Sequence, residues 1–426
     1  MIEAAPGMAL RSLALALALA LALSLGSSLA IGCAAPSDQG PVASASDDIV
    51  DVPQTEVERQ SIGNCWIYAH ASWLESMHKA ATGESFDVSQ SYWTYWHWFD
   101  QISAGTAGQI STGGNWQTAN GIVRKYGLSP ERSFVVADTE SEMSARQASA
   151  LAAVNESLAN GALETSAARR NKALVRKELD RAWALAADVT ATLDRVFGPD
   201  VSRTFSSTTS RADASGTDLL RGDDFVVSYP STPGGVVAQH RLTQAMSEWR
   251  QVYYAGIDRR VFQQRVQRAL HDAQPVVITW FVDFNALESR DGALRGSFNL
   301  VTLNELGPGR QGGHMTVIDD YQAKLADGRV LAAGTTLDPT KPEEKTLLAA
   351  ALLPSTEIEL FRVKNSWGAA RPDRAFSPGM PGYHDLRFDY LDGPVKKCVT
   401  RDGNTDTSSC TSTTVPLQNV VLPPGY

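Results

Sequence analysis

Three residue types that together perform acyl transfer occur in order along this chain: Cys65, His314 and Asn365. Cys65 follows a Gly-Asn turn and begins the stretch CWIYAHASWLESMHKA, which has the apolar periodicity of a helix. A thiol at a helix N-terminus lies near unpaired backbone N–H groups and the positive end of the helix dipole, and both favour the nucleophilic thiolate. His314, in GGHMTVID, and Asn365, in VKNSWG, supply a base and a group that orients it. The three residues therefore predict nucleophilic acyl-transfer chemistry.

Each of these signals has a structural explanation when it is taken alone. A single cysteine before a helix is often a small core residue, a Gly-Gly-His segment is often a loop, and NSWG forms a turn. The order of the three motifs and the residues that flank each one favour the catalytic interpretation.

Several blocks of the chain resemble the papain-like cysteine peptidases (the C1 family), and the bleomycin hydrolase branch more than papain itself. QSIGNCWIYA resembles the nucleophile segment, and FDVSQSYWTYW is similar to the segment that follows it in bleomycin hydrolases. GGNWQTANGIVRKYGLSP resembles their GGxW…KYG stretch, while HMTVID and VKNSWG resemble the histidine and asparagine blocks. The resemblance implies an α+β, papain-like two-lobe fold, with a helical lobe, a β-barrel-like lobe and a helical insertion. It also implies a cysteine peptidase that hydrolyses peptide bonds through a thioester acyl-enzyme.

The resemblance also assigns an oxyanion donor. The backbone N–H of Cys65 is one donor, and a glutamine side chain upstream is the other. In the family this glutamine lies six residues before the cysteine, whereas Gln60 lies five before it and Arg59 occupies the sixth position. Either a shorter turn lets Gln60 reach the oxyanion, or another donor serves; Gln60 is the preferred candidate.

Three further residues are assigned to substrate binding by the same resemblance. Gly113 and Gly114 look like the strip that pairs with an extended substrate backbone, where a side chain would block the approach. Trp367 is expected beside the His314–Asn365 hydrogen bond, which it would shield from water.

The N-terminus has the pattern of an export signal. Arg11 precedes an apolar run that ends just before Cys33, and a polar stretch follows. The sequence AIGC resembles a bacterial lipoprotein cleavage box, which would make Cys33 the lipidated first residue; an ordinary signal peptide cut nearby is the alternative. We therefore expect the protein in the bacterial cell envelope, lipid-anchored at the outer membrane or cell surface, or released to the periplasm or exterior.

The remaining cysteines fit an oxidising compartment. Cys398 and Cys410 flank the polar loop in KKCVTRDGNTDTSSC. Outside the cytosol this pair predicts a disulfide, which would stabilise the fold by about 3 kcal/mol through loop closure.

Composition and periodicity predict the following organisation. A lipoprotein signal peptide (1–33) and a flexible tether (34–52) precede a peptidase domain (53–395), and a disulfide-stapled tail (396–426) ends the chain. Within the domain we expect a helical lobe at 53–130, a helical insertion at 131–245 and a β-rich lobe at 246–395. In the insertion, RRNKALVRKELDRAWALAADVTATLDRVFG reads as one long helix.

Charge and motif content limit the partners. A formal charge of -9 and the lack of a basic stripe argue against nucleic acid. We expect a peptide or protein substrate, membrane contact only through the N-terminal lipid, and no metal or cofactor. Two alternatives use the same residues: a catalytically weak or inactive surface binding module, and an acyl (peptidyl) transferase. Whether the enzyme trims chain ends or cuts internally, and its oligomeric state, stay open.

Overall fold

The nucleophile segment forms a helix, α1 (Cys65–Thr82), that runs through the centre of the fold in a computed structural model of the chain. The structure describes residues 52–140, 144–206, 219–371, 373–401 and 404–426. The predicted signal peptide, the lipidation site Cys33 and the tether up to residue 51 lie outside the described residues. The helix ends where Gly83 adopts a left-handed conformation (φ 76°) and donates its N–H to the carbonyl of Lys79, a common glycine cap.

Most helices lie in the first half of the chain. They are α2 (Gln90–Ser103), α3 (Trp116–Tyr126), α4 (Glu131–Phe134), α5 (Ala145–Asn160), α6 (Ser166–Arg170), α7 (Lys172–Trp183), α8 (Ala187–Phe197), α9 (Leu242–Glu248), α10 (Arg259–His271), α11 (Leu300–Leu306), α12 (Pro342–Ala351) and α13 (Phe388–Asp392). Two short 3-10 helices lie at Val136–Glu140 and Phe284–Ala286.

The long helix predicted in the insertion is divided into three, α6, α7 and α8. Asn171 ends the first and caps the second, because its side-chain oxygen accepts the N–H of Leu174. Ala184 then adopts a left-handed conformation (φ 49°), which ends α7, and Leu185 and Ala186 form a short link to α8. Helical periodicity continues across both breaks, so it does not reveal them.

The strands form one large sheet and several pairs. They are β1 (Val226–Pro230), β2 (Val237–Arg241), β3 (Arg250–Tyr253), β4 (Val276–Asp283), β5 (Ser297–Phe298), β6 (Gln311–Lys324), β7 (Val330–Leu331), β8 (Glu357–Lys364), β9 (Tyr383–Arg387), β10 (Val395–Lys397), β11 (Val399–Arg401), β12 (Asn404–Asp406), β13 (Ser412–Thr414) and β14 (Leu417–Leu422). The large sheet has the order β3-β14-β4-β6-β8-β9-β5, and β7 also pairs with β6. Its pairs are antiparallel except for β5 with β9. The predicted α+β class is confirmed, and the segment predicted as a helical insertion also contains the β1–β2 pair.

The large sheet has a hydrophobic core on each face. Because neighbouring residues of a strand point to opposite faces, Val277 of β4 and Val317 of β6 pack in the core of α1. Ile278 and Ile318, one residue further along, pack in the second core. Helix α1 therefore rests against the sheet that carries His314, and this packing positions the site.

The C-terminal segment, predicted as a separate tail, contributes an internal strand to this sheet. β14 lies between β3 and β4, and Leu417, Val420 and Leu422 are buried there. The apolar spacing of LQNVVL fits a buried strand, but its partners lie more than a hundred residues away, so the sequence does not specify the pairing.

The segment between β10 and β14 is closed by a disulfide between Cys398 and Cys410. Cys65 has a free thiol. Among the described residues, the structure contains no helix long and apolar enough to span a membrane.

We expect Val420→Ala to lower the free energy of unfolding by about 2 kcal/mol, because it removes two methyl groups from a fully buried site. Val415→Ala is the matched control, since Val415 is 40% exposed just before the strand and should change stability by less than about 0.5 kcal/mol. Urea denaturation of both variants measures the difference. Equal losses of stability in the two variants would contradict the buried position of β14 between β3 and β4.

Candidate functional site

A groove of about 460 Å³ lies where the start of α1 meets the sheet, and it contains two of the three predicted catalytic residues. Cys65 and His314 both line it. The backbone N–H of Met315, the residue after His314, is in hydrogen-bonding reach of the Cys65 thiol. The fold thus brings together a thiol and an imidazole that are 249 positions apart (314 minus 65).

The side chain of Asn64 anchors the turn that precedes Cys65 to the neighbouring helices. Its side chain is buried and makes no cap to the helix; instead its amide donates to Thr94 Oγ1 (3.0 Å) and to Gln147 Oε1 (2.9 Å). Thr94 belongs to α2 and Gln147 to α5, the first long helix of the insertion. The insertion therefore helps to fix the position of Cys65. The sequence did not identify Gln147, since nothing in its local pattern points to a partner 83 residues away.

His314 is oriented by Asn365. The Nε2 atom of His314 lies 2.8 Å from Asn365 Oδ1, and both side chains are buried. Because this oxygen can only accept, the ring carries its proton on Nε2, which leaves the lone pair of Nδ1 free to accept a proton. Asn365 Oδ1 also accepts the backbone N–H of Ser366 at 2.8 Å, which holds the carboxamide in place.

Trp367 covers this pair. Its indole stacks on the His314 ring, with 4.7 Å between centroids and a 20° angle between planes, and it is 4% exposed. The guanidinium of Arg374 lies 4.1 Å from the centre of the same indole. This position fits the predicted shielding of the His314–Asn365 bond. Trp367 is not among the described residues that line the groove, so its contact with a substrate stays a prediction.

His384, on β9, is a site residue that sequence reasoning missed. Its Nδ1 lies 3.3 Å from Asn365 Nδ2, and the ring is fully buried beside Trp367 (5.1 Å) and Phe376 (5.5 Å). Nδ1 can accept the amide N–H, so both ends of the Asn365 carboxamide have a partner. Burial lowers the pKa of His384 to about 3, helped by the charge of Arg374, and the ring is neutral at neutral pH.

Burial shifts the pKa values of the catalytic pair in opposite directions. Removal from water raises the pKa of the Cys65 thiol to about 11, although backbone N–H groups of Met315 and Trp66 lower it. Burial lowers the pKa of His314 to about 4, opposed by the Asn365 hydrogen bond and assisted by Arg374. The sequence predicted that the helix N-terminus favours the thiolate of Cys65, whereas burial favours the neutral thiol and the neutral imidazole. Between these two pKa values the pair holds a single proton, which either partner can carry without changing the total.

Gln60, the predicted oxyanion donor, is held by two hydrogen bonds. Its Nε2 donates to the carbonyl of Ile62 (2.8 Å), and its Oε1 accepts from Ser366 Oγ (2.6 Å). Ser366 follows Asn365, so Gln60 is tied to the same turn as the base. A carboxamide nitrogen has two N–H groups. One donates to Ile62, and the predicted role as oxyanion donor requires the other. That role stays a prediction.

The two predicted strip glycines line the groove, for different reasons. A Cβ atom at Gly114 would overlap the indole of Trp66, whose Nε1 donates to the carbonyl of Thr112 (2.9 Å). A Cβ atom at Gly113 would meet only Ser111 Oγ, at 3.7 Å. Glycine is therefore needed at 114, because a Cβ atom would collide with Trp66. At 113 the fold leaves room for a Cβ atom, and that free space is part of the groove.

One part of the groove is rich in uncharged polar groups. The amide of Gln251 contacts both Gln117 and Asn419, the latter at 3.2 Å, and the buried hydroxyl of Thr279 has no hydrogen-bond partner among the described residues. Asn419 belongs to β14, so the C-terminal strand forms part of the wall. The described lining contains no Asp, Glu, Lys or Arg. In the described part of the chain no group of His, Cys, Asp and Glu residues could hold a metal ion.

Comparison with known proteins adds structural similarity only. No family model matches the chain, and no curated protein matches it. PepW from Lactobacillus rhamnosis HN001 matches with 13% identity over 88% of this chain and 81% of that one, with a TM-score of 0.41. Xylellain, a cysteine protease from Xylella fastidiosa, matches with 12% identity, coverage of 88% and 86%, and a TM-score of 0.34. The Amb a 11 cysteine protease, a ragweed pollen allergen in its proform, matches with 15% identity, coverage of 91% and 67%, and a TM-score of 0.32. Because these values are low, the proposals below rest on the chain's own residues.

We expect alkylation of Cys65 by iodoacetamide to show two pH inflections, near 4 and near 11. Below the first, His314 is charged and the thiol is protonated; above it, the pair has lost one proton and can present a thiolate; above the second, the thiolate is free. Mass spectrometry of the labelled peptide gives the rate at each pH, while circular dichroism checks the fold. His314→Ala should remove the lower inflection. A lower inflection near the ordinary histidine value of about 6.5 would contradict the assigned burial of His314.

Proposed function

We propose that the protein is a cysteine peptidase that hydrolyses peptide bonds through a thioester at Cys65. The observation that carries this proposal is the shared groove: a thiol at a helix N-terminus and an imidazole oriented by a buried carboxamide face the same cavity. Structural cysteines are commonly buried without a base beside them, whereas an accessible thiol next to an oriented histidine is the arrangement that nucleophilic catalysis requires.

The reaction follows from the positions of these groups. The sulfur of Cys65 attacks the peptide carbonyl carbon while its proton moves to Nδ1 of His314. The imidazolium then donates that proton to the departing amine, the C–N bond breaks, and a thioester remains. Water, deprotonated by His314, attacks the thioester and releases the acid and the free thiol. The hydrogen bond from Nε2 to Asn365 favours the charged ring during both steps.

The oxyanion formed in each step needs donors. The backbone N–H of Cys65 and the second N–H of the Gln60 amide are the proposed pair. Removal of one such donor typically raises the barrier by roughly 3–4 kcal/mol. Substrate backbone would lie along Gly113, where the fold leaves room for a Cβ atom but a side chain would occupy the groove.

The finer parts of the proposal rest on the sequence. Similarity to the bleomycin hydrolase branch rests on the motifs around Cys65 and Gly113. A lipid anchor at Cys33 and a location in the bacterial cell envelope rest on the N-terminal pattern. Globomycin treatment, which blocks lipoprotein signal cleavage, should retain the precursor, and Cys33→Ala should release the protein from membranes.

The test of function compares the exported protein with Cys65→Ala on a panel of fluorogenic peptides under reducing conditions. We expect turnover by the unsubstituted protein and loss of nearly all of it in Cys65→Ala, because the other residues cannot replace the nucleophile. Iodoacetamide should label Cys65 and abolish turnover in parallel. Full turnover by the alanine variant would refute the mechanism, and no turnover by the unsubstituted protein would favour a binding module. An added amine separates hydrolysis from acyl transfer, since only a transferase converts most of the acyl group to the amide.

His384 gives a second test that addresses orientation. We expect His384→Phe to lower kcat about tenfold with little change in KM, because loss of one hydrogen bond of about 1.4 kcal/mol frees the Asn365 carboxamide to rotate. His384→Gln keeps an acceptor and should recover part of the loss.

The matched control is His70→Phe, which also replaces a fully buried histidine, on α1, by phenylalanine. His70 makes no hydrogen bond among the described residues, so kcat should be unchanged. If His384→Phe and His70→Phe had the same kcat, His384 would have only a packing role.

A further inference from the structure

A second cavity, of about 340 Å³, is lined in part by Arg374, whose guanidinium contacts Trp367. It is lined by three arginines, Arg295, Arg371 and Arg374, and by the turn at residues 376–381, which includes Ser377. The described residues that line it are different from those that line the groove. A cavity with three guanidinium groups is a strongly positive environment.

The carboxylates of the chain only partly balance this charge. Arg295 pairs with Asp291 at 3.1 Å, but the Asp291 side chain is 97% exposed, so water screens the pair. Asp373 pairs with Arg371 and lies 3.9 Å from Arg374, and it is itself about half exposed. Two exposed carboxylates therefore face three guanidinium groups.

Of the three arginines, Arg374 has the positive charge that is least compensated by a carboxylate. Its side chain is 11% exposed, and its Nη1 is buried with no hydrogen-bond partner among the described residues. Burial, together with the charges of Arg371 and Arg310, lowers the pKa of Arg374 to about 10. An unpaired, buried guanidinium donor costs free energy unless a ligand satisfies it.

Ser377 adds a second unsatisfied donor in the same cavity. Its Oγ is buried and has no hydrogen-bond partner in the described part of the chain. A hydroxyl next to a guanidinium is a common pair of donors for an anionic oxygen.

The cavity has rigid walls. Ser377 N–H donates to the carbonyl of Tyr383 (2.9 Å), and Met380 N–H donates to the carbonyl of Ser377 (3.0 Å). Gly296 (φ 75°) lies so close to the backbone of Phe376 that any Cβ atom would overlap it. The two segments that carry the arginines are thus packed together, as a prepared binding site requires.

We propose that this arginine pocket binds an anionic oxygen group, either a carboxylate or a phosphate or sulfate, with Arg374 and Ser377 as its central donors. The planar fork of a guanidinium matches the two oxygens of such a group. The proposal does not depend on whether the protein is a peptidase. The ligand can come from a peptide, as an acidic side chain or chain terminus, or from the medium as a free inorganic anion.

The pocket is connected to the catalytic base through Trp367. The Arg374 guanidinium lies over one side of the indole and the His314 ring is stacked on it, and the Arg374 charge lowers the pKa of His314. A bound anion would offset that charge and raise the pKa of His314. Occupancy of the pocket should therefore be detectable at Cys65.

Isothermal titration of the full chain with sodium phosphate, sodium sulfate and N-acetylglutamate, at constant ionic strength set by chloride, tests the pocket. We expect saturable binding of at least one of these anions, at least tenfold weaker in Arg295→Gln and in Ser377→Ala. Both variants leave the stack of Arg374 on Trp367 intact. Preference for N-acetylglutamate over the inorganic anions identifies a peptide carboxylate as the source, and the reverse identifies a free anion.

Arg329→Gln is the matched control, because Arg329 also pairs with a neighbouring aspartate, Asp327, on an exposed turn between β6 and β7. Equal loss of binding in Arg329→Gln and Arg295→Gln, or no saturable binding of any of the three anions, would overturn the proposal. The saturating anion should also move the lower pH inflection of Cys65 alkylation upward in the unsubstituted protein and not in Arg295→Gln. Binding without that shift would overturn the connection to His314.

Discussion

The hydrogen bond between His314 Nε2 and Asn365 Oδ1 is the constraint on which the site depends. It puts the ring proton on Nε2 and so leaves Nδ1 free to accept a proton, as the proposed mechanism requires. It is made between buried side chains under an indole, where it is stronger than it would be in water. A carboxamide that could rotate would present either its oxygen or its NH2 group, and only the oxygen gives this tautomer. The contacts of Asn365 with Ser366 and His384 matter because they prevent that rotation.

The structure surrounds this bond with supports from distant parts of the chain. The nucleophile turn is held by Asn64, through α2 and α5, and the base is held by β8 and β9. The two sets of supports meet where α1 packs on the sheet, so the distance between sulfur and ring depends on one helix–sheet interface. The insertion and the C-terminal strand, which the sequence placed outside the two lobes that carry the site, both take part in this arrangement.

Burial has a common effect on every ionisable group of the site. It disfavours each separate charge: it raises the pKa of Cys65 and lowers the pKa values of His314 and His384. Moving one proton between sulfur and ring creates two opposite charges side by side, which costs less than creating either alone. Burial therefore favours proton transfer between Cys65 and His314 over the ionisation of either group alone. The positive charge of Arg374, which also contacts Trp367, further lowers the pKa of His314.

Local signals in the sequence account for what was predicted correctly in the fold. The helix at Cys65 has a turn before it and a glycine after it, and β4 and β6 have apolar runs of strand length, so these elements are determined by neighbouring residues. The break at Ala184 was missed because alanine favours a helix, and nothing in the neighbouring sequence indicates the left-handed conformation that it adopts. The arginine pocket was missed because its residues come from two separate loops and share no motif.

The sequence alone determined the chemical groups and their order: a thiol at the start of a helix, an imidazole and a carboxamide in two later segments. Those features depend on residue type and on neighbouring residues, which can be read directly from the sequence. Only the tertiary structure decided which groups meet, which nitrogen of His314 is bonded to Asn365, that His384 contacts Asn365, and that β14 forms part of the groove. These outcomes depend on contacts between residues far apart in the chain and on the exclusion of water, and both arise only when the helix packs on the sheet.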